Sequence, residues 1–117
     1  MLVQKLRIEV NDTSLRQNLL GTLQKLSLRR ITQSAVIDLG GVEYLFELLA
    51  DYENLSEYSL EYGTALMMNL CLRSKGKRVC AKDPGKTLKL LKELIESENL
   101  QVRSFVFLMT AYLNHYF

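Results

Sequence analysis

The sequence predicts an all-α fold in which short helices stack as successive repeats. Three observations carry that expectation. Apolar residues recur at helical steps and nowhere sustain the period-two alternation of a hairpin strand. Glycine, proline and capping residues fall where those helical runs would stop and start. The chain also resembles itself at a spacing of 44 to 45 residues.

The repeat is visible in named pairs. Asn54-Leu55 and Ser59-Leu60 recur 45 residues on as Asn99-Leu100 and Ser104-Phe105. Asn69 recurs as Asn114, and Gly40, Leu45 and Leu49 recur as Gly85, Leu90 and Leu94. Leu26-Ser27-Leu28-Arg29 matches Leu70-Cys71-Leu72-Arg73 at spacing 44, and an earlier copy starts near Asn11. A period of about 40–47 residues is that of armadillo and HEAT arrays, so the expected architecture is a right-handed α-solenoid of that type.

The elements follow in order. Leu15, Leu19, Leu23 and Leu26 fall on one helical face, with Ser14 and Gln17 as a capping box. Ile31, Ala35 and Val36 mark a shorter helix. Gly40-Gly41 stops it, because glycine adopts the left-handed conformation without steric cost. Val42, Leu45, Phe46 and Leu49 define the next helix. The stretch Asp51 to Asn54 turns the chain, and Ser56 caps a long helix reaching about Leu72. Asp83-Pro84 reads as an N-cap and first helical residue, after which Leu88, Leu91 and Ile95 share a face. Asn99 opens a last helix that is still apolar at Phe117. Long, short and medium helices in succession are the armadillo rhythm. The unit is read as one armadillo-repeat domain over residues 1–117, about two and a half repeats, close to the roughly three needed for stability. Both ends read as cuts through a longer array.

Composition narrows the function. No apolar run approaches the ~20 residues of a membrane helix, and Met1 to Val10 has no signal-peptide core. The expected compartment is the cytosol or a structure continuous with it, with no membrane partner. Two cysteines, Cys71 and Cys80, make no disulfide framework, and one histidine leaves a zinc site undersupplied. Reduced thiols, at least one of them in the core, are expected. Gly76-Lys77 lacks the remainder of a phosphate loop, and no Ser-His-Asp or Cys-His set can be assembled. The chain is therefore expected to be no enzyme and to need no cofactor or metal. Met67, Met68, Phe105, Phe107 and Tyr112 are read as core, and His115 is assigned no chemistry. Net charge is only +2, yet charge is segregated. Ile31 to Leu72 holds seven acids and no lysine or arginine, whereas Arg73 to Lys92 holds eight basic residues and one acid. Such blocks create local potentials that steer partners.

The run Ile37 to Leu49, a glycine turn before an amphipathic helix ending in Leu-Leu, resembles the armadillo signature. Ala65-Leu66-Met67-Met68-Asn69-Leu70-Cys71 is similar to the end of an armadillo third helix. Leu23 to Arg30, Leu55 to Tyr62 and Asn69 to Lys82 resemble the armadillo region of one ciliary family. That family joins an N-terminal LisH domain, a coiled coil and armadillo repeats. The resemblance covers about Leu15 to Ser104. It implies a non-enzymatic protein-binding scaffold of the ciliary basal body and axoneme that contributes to ciliary stability and assembly. It also implies a setting in the cytoplasm and cytoskeleton, and partners that include a TOG-array microtubule regulator. Neither a LisH domain nor a coiled coil is present in this sequence, so LisH dimerisation is not carried over.

Candidate binding residues follow from the same comparison. In the nuclear-import version of the armadillo fold, an asparagine bonds the backbone of an extended peptide, with a tryptophan one turn earlier. Asn69 and Asn114 match the asparagine, and spacing 44 puts Lys25 there in the first copy. The tryptophan positions hold Gly21, Ala65 and Thr110. An adaptor binding extended peptides in nuclear transport or signalling is thus the alternative function. For Asn69, groove contact and a structural hydrogen bond to a neighbouring helix both stand open. Lys75, Lys77, Arg78 and Lys82, with Arg29 and Arg30 from the earlier equivalent loop, form a basic cluster suited to an acidic partner such as a tubulin tail. Nucleic acid is disfavoured by the small net charge and the absence of interleaved aromatics, and solvated loop charge is the plain alternative. The apolar run Ala111 to Phe117 could pack on the core, mediate self-association, or cover for a missing neighbour.

Overall fold

The computed structural model describes residues 2–8 and 13–117. These residues form the helices α1 (Leu2–Ile8), α2 (Ser14–Leu26), α3 (Arg30–Asp38), α4 (Gly41–Ala50), α5 (Glu57–Leu70), α6 (Ser74–Ala81), α7 (Pro84–Ile95) and α8 (Leu100–Leu113). Short 3-10 turns lie at Tyr52–Asn54 and Asn114–Tyr116, and no strand occurs among the described residues. The expected start of an earlier copy near Asn11 lies outside them.

The helices are arranged as armadillo repeats. Helices α3, α4 and α5 form one triplet, and α6, α7 and α8 form the next. The third helices α2, α5 and α8 stand side by side, α5 packing against both of the others. Helix α1 lies against α2 as α4 lies against α5 and α7 against α8, so it takes a second-helix place. The Arg7 guanidinium at its end donates to the Gly40 carbonyl at 2.8 Å, tying it to the start of α4.

Local chemistry sets the helix ends. Ser56, Asp83 and Asn99 are the N-caps the sequence predicts, their side chains accepting from the backbone N–H groups of Ser59, Lys86 and Val102. Pro84 stands at the first position of α7. Gly40 has φ +82°, the left-handed turn that separates α3 from α4. At α2 the cap is Thr13 rather than Ser14, because the Thr13 hydroxyl is the one that reaches the Arg16 N–H.

Burial follows the expected stripe on α4, where Val42, Leu45, Phe46 and Leu49 are all buried. On α7 the stripe is rotated. Leu88 and Ile95 are exposed, and Thr87, Leu90, Leu91 and Leu94 face the core. On α2, Leu19 and Leu23 are buried but Leu15 and Leu26 are exposed. On α3, Ile31 is exposed, and Gln33, Val36 and Ile37 turn inward.

The register between copies changes along the repeat. Val42, Leu45, Phe46 and Leu49 map onto Thr87, Leu90, Leu91 and Leu94, a shift of 45 that matches buried to buried. The third helices instead repeat at 43: Ser56 and Asn99 are their N-caps, Cys71 and Asn114 their C-caps. The difference is taken up in the turn before the third helix, which spans 51–56 in the first triplet and only 96–99 in the second. Pairings that the sequence suggests at 45 therefore fail in and before the third helices. Ser59 is buried whereas Ser104 is exposed, and Asn54 lies in a 3-10 turn whereas Asn99 is a cap. Gly85 is likewise an exposed residue in the first turn of α7, whereas Gly40 makes the turn before α4.

Candidate protein-binding surface

The wall formed by α2, α5 and α8 and the first helices α3 and α6 beside it carry the candidate binding residues, within the helices or at their caps. Asn69 sits on the side of α5 that meets α2. It is 4% exposed. Its amide donates to Ser27 Oγ at 2.9 Å and to the Gln24 carbonyl at 3.4 Å. Ser27 Oγ–H in turn donates to the Gln24 carbonyl at 2.7 Å, and Gln33 Nε2 donates to the Ser27 carbonyl at 2.8 Å. Of the two roles open for Asn69, the structure realises the structural bond to a neighbouring helix. Both N–H donors satisfy groups at the C-terminal end of α2, where carbonyls have no intrahelical partner.

Asn114 does not share that position. With the third helices in register at 43, Tyr112 stands opposite Asn69, and Asn114 is the exposed C-cap of α8. Lys25 is exposed on the last turn of α2, next to the Gln24 carbonyl that Asn69 reaches.

Lys75, Lys77 and Arg78 lie inside helix α6, not in a loop, and Lys82 is its C-cap. Arg29 is the N-cap of α3 and Arg30 its first residue. Helices α3 and α6 pack together, so these cations lie on neighbouring first helices. Lys75 pairs with Asp38 at 3.2 Å across that contact. Lys77 is half-buried, with its ammonium 5.8 Å from the Tyr116 ring centroid. Arg29, Arg30, Arg78 and Lys82 are exposed.

Several surface features carried no sequence signal. Asn99 Nδ2 reaches two carboxylates of α5, Glu57 at 2.5 Å and Glu61 at 2.8 Å. Tyr58 and Tyr62 pair with ring centroids 4.4 Å apart. Any side chain at Gly21 would collide with the Tyr58 hydroxyl, so the glycine lets the ring lean across α2. Partial burial and the neighbouring Tyr62 raise the Tyr58 pKa above the usual phenol value. Phe107, read as core from the sequence, is 70% exposed, because it lies on the side of α8 away from α5. With Ile95, Leu100, Arg103, Ser104 and Leu108 it lines an open hollow.

Both cysteines are buried and free, with Sγ atoms 3.8 Å apart. The hydrogen bond with Cys80, and then burial, hold the Cys71 pKa well above its ordinary value. That same bond lowers the pKa of Cys80. Among the described residues no cluster of histidine, cysteine and carboxylate groups could hold a metal, and no helix is long and apolar enough to cross a membrane.

Comparison with known proteins agrees with this architecture. The family model described as LisH domain-containing protein ARMC9, ARM repeats, matches residues 36–113. The chain is 49% identical over 106 residues to LisH domain-containing protein ARMC9 of Mus musculus, covering 91% of the chain and 13% of that protein. The Bos taurus protein is 47% identical over 106 residues, covering 91% of the chain and 16% of that protein. The Danio rerio protein is 46% identical over 105 residues, covering 90% and 13%. The chain thus spans about one-seventh of the length of these relatives. No solved structure matches it significantly.

Proposed function

The chain belongs to the ARMC9 armadillo-repeat family, and on that premise we propose that it is a non-enzymatic protein-binding scaffold module of a ciliary basal-body or axoneme protein. The ciliary setting, in the cytoplasm and cytoskeleton, and the contribution to ciliary stability and assembly rest on the sequence resemblance. The binding role has a physical support of its own. Cations stand where helix stability disfavours them. Arg29 and Arg30 cap and open α3, Arg73 caps α6, and neither helix has an acid in its first turn. A cation at the positive end of a helix dipole costs about 0.3–1 kcal/mol at an exposed site. An acidic partner, such as a tubulin tail or an acidic segment of a TOG-array regulator, offsets that cost. The alternative reading, an adaptor that holds extended peptides on an asparagine ladder, has less support. The amide donors of Asn69 are used internally, and Asn114 lies off the ladder.

A glutamate-rich tubulin-tail peptide carrying a fluorophore tests the proposal by anisotropy. Binding is expected to weaken steeply with salt. The triple variant Arg29→Glu, Arg30→Glu, Arg78→Glu is expected to bind at least about tenfold more weakly, a change of ~1.4 kcal/mol. Its thermal midpoint should stay close to that of the parent, since acids suit the start of α3, whereas Arg78→Glu places one in the last turn of α6, and the two effects oppose each other. Equal affinity for parent and variant would overturn the role of the basic residues.

A further inference from the structure

Cys71 is the C-cap of α5, and Cys80 lies in the last turn of α6. Both are buried, and their Sγ atoms meet at 3.8 Å in a thiol–thiol hydrogen bond. Packing does not require two sulfurs here. The C-caps Ser27 and Cys71, and the N-caps Arg29 and Arg73, set a spacing of 44 between this joint and the one before it. At that spacing the earlier joint holds Ser27 and Val36, which are also buried. A serine and a valine fill it, whereas the later joint brings both cysteines of the chain together.

Helix α6 is held by little else. It packs on α3, α4 and α7, and its buried residues are Gly76 and Cys80. Gly76 lies against the backbone of α5, where an added Cβ would collide with the Leu70 carbonyl. Glycine contributes no side chain, so Cys80 is the one buried side chain on α6. The Thr87 hydroxyl donates to the Cys80 carbonyl at 2.7 Å and keeps the backbone of that last turn in place. A helix with so little apolar burial opens locally at low cost, and such opening admits a small solute to thiols that the closed state hides.

We propose that Cys71 and Cys80 form a redox-sensitive latch, in which a peroxide oxidises the pair to an intramolecular disulfide that fastens α6 to the end of α5. The Cys80 thiolate attacks one oxygen of hydrogen peroxide and the O–O bond breaks. The hydroxide released takes up the proton that the Cys80 thiol gave up and leaves as water, and Cys80 becomes a sulfenic acid. The Cys71 sulfur then attacks the Cys80 sulfur, and the S–O bond breaks. The departing hydroxide leaves as a second water with the proton of Cys71. Two electrons pass from the two sulfurs to the peroxide oxygens. Cys80 acts first because the hydrogen bond with Cys71 lowers its pKa, whereas the same bond raises that of Cys71. Closure brings the sulfurs from 3.8 Å to the ~2.05 Å of a disulfide. This inference is independent of the acidic-partner proposal.

Intact-mass spectrometry on the folded chain in millimolar hydrogen peroxide tests the chemistry. The expected product is a monomer that has lost two hydrogens, its peptides bearing Cys71 and Cys80 linked until dithiothreitol is added. Cys71→Ser and Cys80→Val each install the residue of the earlier joint, so circular dichroism should be unchanged. Cys71→Ser should gain oxygen at Cys80 in place of the link, and Cys80→Val should keep Cys71 as a free thiol over the same time. Hydrogen–deuterium exchange reads the latch. Amides of α6 are expected to exchange at least about tenfold more slowly in the disulfide form than in the dithiol form, because the link opposes local opening. Thiols that stay free in the folded chain while the urea-unfolded chain reacts would overturn the proposal. So would oxygen added to the parent without a link, or a link between two chains. Equal exchange of α6 in both forms would overturn the latch.

Discussion

The two junctions between third helices are closed at their C-terminal ends by different chemistry. Where α2 meets α5, Ser27, Gln33 and Asn69 make a buried set of hydrogen bonds that closes the end of α2. One repeat later the C-cap equivalent of Ser27 is Cys71, and the equivalent of Gln33, counted from the helix N-caps Arg29 and Arg73, is Lys77. Asn69 gives way to Tyr112. Cys71 meets a second thiol at 3.8 Å instead of an amide, and Lys77 turns to an aromatic ring. The repeat thus conserves how helices lie on one another, while the groups that satisfy the junction are local solutions. An asparagine at one junction is therefore no guide to an asparagine at the next.

The largest expected effect comes from removing the polar junction. Asn69→Ala should cost about 1–3 kcal/mol in urea unfolding, because it leaves the buried Ser27 hydroxyl short of a donor and opens space beside it. The comparison sharpens in a double-mutant cycle. Ser27→Ala with Asn69→Leu removes the buried hydrogen bond together with both of its partners, and should cost less than the sum of the two single changes. Strict additivity would mean that the hydrogen bond seen at 2.9 Å contributes no coupling.

The same contrast explains what could be read in the sequence. Helix boundaries were legible wherever a residue acts on its own backbone, as at Gly40, Ser56, Asp83-Pro84 and Asn99. The core of α4 was legible because it has a single apolar stripe. Helix α7 has leucines at 88, 90, 91 and 94, which fit two overlapping stripes, and only packing against α4, α6 and α8 selects between them. Asn114 does not fall at the Asn69 position because a spacing of 45, true for α4 and α7, does not hold for third helices that repeat at 43. The compensation lies in a shortened turn that carries no motif. Phe107 reads as core because hydrophobicity reports that a residue prefers burial, not whether a neighbour stands there to bury it. The involvement of Asn69 with Ser27, 42 residues away, is a tertiary fact with no local trace.

A smaller effect belongs to the sulfur junction and depends on pH. The folded state holds the Cys71 pKa above its unfolded value of about 9. The unfolded chain therefore ionises first as pH rises. The stabilisation is complete below that unfolded value and is lost as pH climbs from there through the raised folded value. One such group contributes a slope of at most about 1.4 kcal/mol per pH unit. The lowered value at Cys80 opposes it in part. Urea unfolding between about pH 8 and 10 should fall more steeply for the parent than for Cys71→Ala, with Asn69→Ala keeping the parental slope. Matching slopes for parent and Cys71→Ala would show that the thiol pair is not what titrates.

The smallest expected effect concerns the ion pair that joins the acidic and basic blocks. Lys75 and Asp38 meet at 3.2 Å, but their side chains are 50% and 61% exposed. Water screens such a pair, and holding two flexible side chains in one geometry costs entropy. Their positions complicate the sign further. Lys75 stands in the first turn of α6 and Asp38 is the last residue of α3, each at the end of the helix dipole that repels it. Removing Lys75 loses a weak attraction and relieves a weak repulsion, so Lys75→Ala should shift stability by less than about 0.5 kcal/mol in either direction. Asp38→Ala should behave alike. If either change cost more than about 1 kcal/mol, the charge blocks would be holding the two repeats together, and the junctions between third helices would no longer suffice to explain how the repeats stay in register.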